Sequence, residues 1–85
     1  MKLEVMTSHK VLYTGEAEMV VLPAWQGEMG ILPGHADFVV MLKAGHIRLV
    51  TGGKSETVNV SGGFAEVSHD RVVVLPDAAD VAPQG

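Results

Sequence analysis

The residues with chemical potential in this 85-residue chain are four histidines and ten carboxylates, with no cysteine among them. His35 and Asp37 form an H-x-D pair that would share one face of an extended strand, and His9, His46 and His69 could join them in space. A zinc or iron centre needs three or four such ligands with supporting contacts. His9, His46 and His69 stand instead in polar turns or on polar alternating positions, where surface histidines usually sit. A free-standing metal- or ligand-binding module is therefore the secondary reading, and no metal is expected. Ser61 precedes Gly62-Gly63 without the strand-to-helix turn that exposes a nucleophile. Glu28 and Glu66 could act as paired carboxylates only if the fold brings them together. Neither Gly52-Gly53 nor Gly62-Gly63 carries the G-x-x-x-x-G-K pattern that cradles phosphate, and both suit hairpin turns or close strand crossings. No catalytic residue, cofactor or bound nucleotide is expected, and the chain does not read as an enzyme.

The elements that must position these residues are organised around Gly27 to Ala36, which reads as a tight turn, a brief strand and a second corner. Gly27 and Gly30 allow positive φ or close backbone approach, and Pro33 fixes φ and removes a donor. Glu28 and His35 stand at the two ends of that shaped segment. Elsewhere nearly every stretch alternates at period two or forms a short apolar run between turn residues, the signature of strands. Strands are expected over 2–6, 11–13, 17–22, 38–42, 46–51, 55–60, 64–67 and 71–75, with turns at 7–10 and 14–15 and a loop over 23–27. Pro23, unable to donate to a ladder, is expected to close its strand. The run from Phe38 to Leu42 is apolar on both faces, which suits a strand covered on both sides or one whose outer face meets a partner. Met19, Met29 and Met41 suit either gap-filling in an aliphatic core or an adaptable interaction surface. The expected fold is all-β, a sandwich or flattened barrel over residues 1–76, with 77–85 as a short tail.

Composition narrows the function further. One small domain is all that 85 residues allow, and 47% hydrophobic residues with few aromatics imply an aliphatic core with some apolar surface left for a partner. The formal charge of −4, with its lysines and arginines scattered singly, offers no face for nucleic acid. Lys2 and Glu4 interrupt any signal-like start, and no apolar run approaches the ~20 residues that cross a bilayer as a helix. A soluble cytoplasmic chain is expected, with any membrane association made through another protein.

Four stretches, in order and without a large insertion, resemble the N-terminal domain of the epsilon subunit of F-type ATP synthase. They are Gly27 to Ala36, Leu42 to Ile47, Val60 to Val67 and Val72 to Leu75, within a similarity running from Lys2 to about Ala79. The resemblance implies a ten-stranded β-sandwich and a non-catalytic rotor part, held between the gamma subunit and the membrane c-ring on the cytoplasmic side of the bacterial inner membrane. By position it implies gamma contacts at Thr7, His35 and Val40, extended along the strand to Phe38 and Leu42. It implies a c-ring contact at Glu28, with Gln26 and Met29 beside it. A histidine bonded within its own turn is the other reading of His35, and a solvated turn glutamate that of Glu28. Asp37, Ala44 and Pro76 depart from the family pattern, and the first two loosen turns without changing the fold. The family's C-terminal helical hairpin has no counterpart in these 85 residues, so neither helix-mediated inhibition nor nucleotide binding is expected of the chain.

Overall fold

The computed structural model describes residues 1–7, 9–34, 37–77 and 79–80. Ten strands account for most of them: β1 (Lys2–Met6), β2 (Val11–Glu16), β3 (Met19–Ala24), β4 (Gly27–Ile31), β5 (Phe38–Leu42), β6 (Gly45–Thr51), β7 (Lys54–Val60), β8 (Gly63–Ser68), β9 (Arg71–Pro76) and β10 (Ala79–Asp80). No helix occurs among the described residues. The all-β expectation is met.

The strands form one sheet in the order β10-β7-β6-β3-β5-β8-β9-β1-β2, with β4 paired to β3 off that path. The β3–β5 link is a single register pair, Ala24 with Leu42, so the sheet folds there into two layers. One layer holds β5, β8, β9, β1 and β2; the other holds β10, β7, β6, β3 and β4. Their facing sides supply the core, which includes Leu3, Val5, Val20, Leu22, Ile31, Ile47, Val58, Val72 and Val74, all fully buried. These are aliphatic and mostly β-branched, and they alternate with exposed neighbours because successive strand residues face opposite sides.

Along the far edges the layers meet through side chains. The Tyr13 hydroxyl donates to Glu56 Oε2 at 2.6 Å, Thr51 Oγ1 donates to the Glu16 carbonyl at 3.2 Å, and the Gly52 amide donates to Glu18 Oε1 at 2.6 Å. The outer strand β2 is thereby tied to the β6–β7 hairpin. That hairpin turns through Gly52 and Gly53 with φ of 56° and 79°, as a two-residue turn with both central residues left-handed requires.

Three segments differ from expectation. Thr14 and Gly15 are not a turn: β2 runs through them to Glu16, in register with Lys2 to Glu4 of β1. Pro23 does not close its strand: it is buried within β3, opposite Glu28. Its carbonyl accepts from the Lys43 amide at 2.9 Å, and it sits where β3 leaves β6 for β5, so its missing N–H falls where the ladder already breaks. Past Pro76, Ala79 and Asp80 add a short strand to β7.

Gly62-Gly63 is a close crossing. A Cβ at Gly63, where φ is +107°, would collide with the Leu75 carbonyl and lie 2.6 Å from Pro76 Cα. Gly63→Ala should lower stability by about 2–4 kcal/mol, because backbone and not a flexible side chain must yield. Gly53→Ala, with φ of +79° but nothing within 4 Å, should lose only about 1–2 kcal/mol. Denaturant midpoints of the two variants check the contrast. Burial, together with the bond to Glu56, pushes the Tyr13 phenol up to about 12 from its ordinary 10.0. Because the folded value is the higher, this contact contributes fully below pH 10 and fades as pH rises through about 12. Tyr13 is the single tyrosine, so the absorbance of its phenolate reports the titration directly; a midpoint near 10 would contradict the contact.

Candidate docking face

β5 shows why an all-apolar strand stands here. Val40 and Leu42 point inward and are 8% and 2% exposed, whereas Val39 and Met41 point outward at 64% and 58%. Phe38 is half-buried against the core. The expected gamma contacts at Val40 and Leu42 are therefore corrected: both side chains belong to this domain's own core, and a partner cannot reach them while the fold is intact. Strand alternation, not partner contact, explains their apolar character.

Register extends the outer face of β5 across its layer. At one end Met41 lies beside Phe64 of β8, which lies beside Leu75 of β9. The next row runs Val39, Glu66, Val73, Glu4 and Thr14, and the third runs Ser68, Arg71, Lys2 and Glu16. Polarity is thus graded: aliphatic and aromatic toward β5, charged toward β2. Trp25 stands at the apolar end, 66% exposed, with its amide donating to the Met41 carbonyl at 3.1 Å. Trp25, Met41, Lys43, Phe64 and Asp77 line a surface groove of about 350 Å³ there. This exposed set is unusual for a domain with so few aromatics. For Met41 the interaction-surface alternative is the one its exposure fits, whereas residue type alone marks none of Trp25, Val39 and Phe64 as part of this face, although period two along 38–42 already divides that run into inward and outward sides.

Strand direction sorts the remaining expected site residues. Gln26 and Glu28 are exposed in the β3–β4 hairpin, at the Met41 end of the layer, and Gly27 between them has φ of 131°. Met29 is half-buried and packs on the core, so only part of it reaches the surface. Thr7 follows β1 at that same end, since β1 runs parallel to β9 and β9 pairs Gly63 with Pro76. Its hydroxyl is committed locally, accepting from the His9 amide at 3.1 Å and the Lys10 amide at 3.2 Å. His35 lies outside the described residues. Its described neighbours mark the opposite end of the layer: the Gly34 amide donates to the His69 carbonyl at 2.8 Å, in the β8–β9 turn. Thr7 and the Gly34 corner are therefore separated by the length of β5, roughly 17 Å.

The remaining chemistry is dispersed. His46 Nδ1 donates to Asn59 Oδ1 across the β6–β7 ladder, and Glu66 of β8 and Glu28 of β4 lie in different layers. Among the described residues no three histidines or carboxylates gather as a metal site would require, no buried side-chain nitrogen or oxygen lacks a partner, and no helix is long and apolar enough to cross a membrane.

Comparison with known proteins agrees with this architecture. Residues 1–82 match the family described as ATP synthase, Delta/Epsilon chain, beta-sandwich domain. The ATP synthase epsilon chain of Desulforamulus reducens is 48% identical over 83 residues, covering 98% of this chain and 63% of the relative. That of Granulibacter bethesdensis is 45% identical over 78 residues, covering 91% and 58%. The chain thus spans about three fifths of the length of these curated relatives. A chain in the cryo-EM structure of the Euglena gracilis mitochondrial ATP synthase, containing OSCP, F1 and c-ring, superposes with a TM-score of 0.79 at 28% identity, over 95% of this chain and 51% of that one. A chain of the Tetrahymena thermophila mitochondrial ATP synthase central stalk and c-ring shares the fold, with a TM-score of 0.72 at 9% identity over 94% and 65%. The chain belongs to the family of ATP synthase delta/epsilon-chain β-sandwich domains.

Proposed function

We propose that the chain is a central-stalk component of an F-type ATP synthase, bridging the gamma chain and the c-ring so that ion flow through the membrane sector is coupled to ATP synthesis. In this role it is non-catalytic, holds no cofactor or nucleotide, and meets the membrane only through the complex, on the cytoplasmic side of the bacterial inner membrane. The observation that carries the reading is the outward row of Met41 and Phe64 beside Val39 and Trp25, an apolar surface on a domain whose core is already complete. Family membership supplies the setting, and the solved Euglena gracilis relative belongs to a complex that includes the c-ring. The gamma-docking surface is the outer face of β5 and β8, and Gln26 and Glu28 in the adjoining hairpin face the c-ring.

Rigidity suits this role. A linker that transmits torque needs two attachment points on one stiff body, and the hairpin and the apolar row are tied together by the Trp25–Met41 backbone bond. Thr7 stays in the proposal as a contact at one end of the gamma-facing layer, and His35 as an expected gamma contact outside the described residues.

Paired substitutions on β5 test the docking face. Met41→Asp should leave the isolated domain folded and weaken gamma binding by roughly 2–4 kcal/mol, because an interface would bury an unpaired carboxylate. Val40→Asp should instead strongly destabilise the free domain and lower its melting temperature. An unpaired core charge costs about 3–5 kcal/mol, against a total stability of about 4–13 kcal/mol for a chain this size. Thermal melts and co-purification with gamma read both; a Met41→Asp chain that still assembles would sink the proposed face. For the hairpin, Glu28→Gln should preserve the melt and gamma binding and reduce retention of the c-ring by the gamma-bound chain. Undiminished retention of the c-ring would remove Glu28 from that contact.

A further inference from the structure

We propose that Glu66 selects the docking partner by requiring one lysine or arginine on the surface that covers the β5–β8–β9 face. This rests on the docking reading above and goes beyond it by assigning a charge to the partner. Glu66 is exposed in the middle of β8, with Phe64 and Ser68 on either side of it along the strand and Val39 and Val73 directly across on β5 and β9. Its immediate cross-strand neighbours are therefore both valines. The nearest cation on this face, Arg71, lies diagonally across, and its Nε is 3.6 Å from Glu4 Oε1. Glu4 has a counter-charge within the domain. No ion pair of Glu66 is found among the described residues.

In the free chain the Glu66 carboxylate is hydrated and costs nothing. Once a partner covers Val39, Met41 and Phe64, that water is displaced, and a carboxylate inside an apolar contact is unfavourable unless a cation replaces the water. An apolar surface without such a cation would be rejected, and one with a well-placed guanidinium or ammonium would be accepted with faster, salt-sensitive association. The apolar row supplies contact area and Glu66 supplies discrimination.

The test measures binding of the full chain to its purified gamma subunit over a range of sodium chloride, for wild type, Glu66→Gln, Glu66→Lys, Glu4→Gln and Met41→Asp, each checked for folding by circular dichroism. Glu66→Gln should weaken binding about tenfold at low salt and flatten its salt dependence, Glu66→Lys should weaken it about a hundredfold, and Glu4→Gln should match wild type. Loss of binding in Met41→Asp with Glu66→Gln unchanged would overturn the role of Glu66 and leave the docking face standing. Unchanged binding in Met41→Asp would take down both, and tighter binding by Glu66→Lys would reverse the charge assigned to the partner.

Discussion

The structure depends on one constraint: a sheet folded on itself has an inside, and each strand can send only every second residue there. Val40, Leu42, Ala65, Val67, Val72 and Val74 meet that demand from one layer, and Val20, Leu22, Ile47, Leu49, Val58 and Val60 from the other. With no disulfide and a core of small aliphatic side chains, little else holds the domain together. The intervening positions are free to be polar, and in β6 and β7 they are: His46, Arg48, Ser55 and Asn59 face solvent. In β5 they are valine and methionine. That exception directs attention to the outer face.

Two backbone devices let the sheet fold tightly enough to make that core. At one corner β3 changes partners, and Pro23 packs on Gly45, where an added Cβ would lie 3.0 Å from the proline Cβ. At another, Gly63 lets β8 pass close under the end of β9, in a conformation other residues rarely adopt. The seam between β2 and the β6–β7 hairpin is held through side chains, with Tyr13–Glu56 and Gly52–Glu18 its short bonds at 2.6 Å each. Together these account for a stiff body with no helix among the described residues. A part that hands torque from one partner to another has need of such stiffness.

Much of this was legible from sequence, because period two is a strong signal in short strands. The β1, β5 and β7 segments and the Gly52-Gly53 hairpin follow from residue type alone. Turn-forming residues read locally as strand breaks, and in two places tertiary pairing overrides that local signal. Thr14-Gly15 continues β2 because β1 supplies a full ladder beside it, and Pro23 is tolerated because its nitrogen falls at a change of partners. For the docking face, residue type drew attention to the right strand and the wrong side of it. Val39 and Val40 are chemically identical, and only register against β8 decides which one a partner can touch. Trp25, Phe64 and Glu66 come together through pairings between segments remote in sequence, which no local pattern reports.

The central claim is that the outer side of β5 and its neighbours is covered in the assembly while the inner side is already complete in the free chain. Oxidative footprinting reads this directly, since Met41 at 58% exposure and Trp25 at 66% are both reactive side chains. Labelled free and then in a verified complex with gamma, Met41 should lose most of its reactivity, with Trp25 protected alongside it. Met41 equally reactive in the free and bound chain would contradict the account, because the partner would then be docking elsewhere.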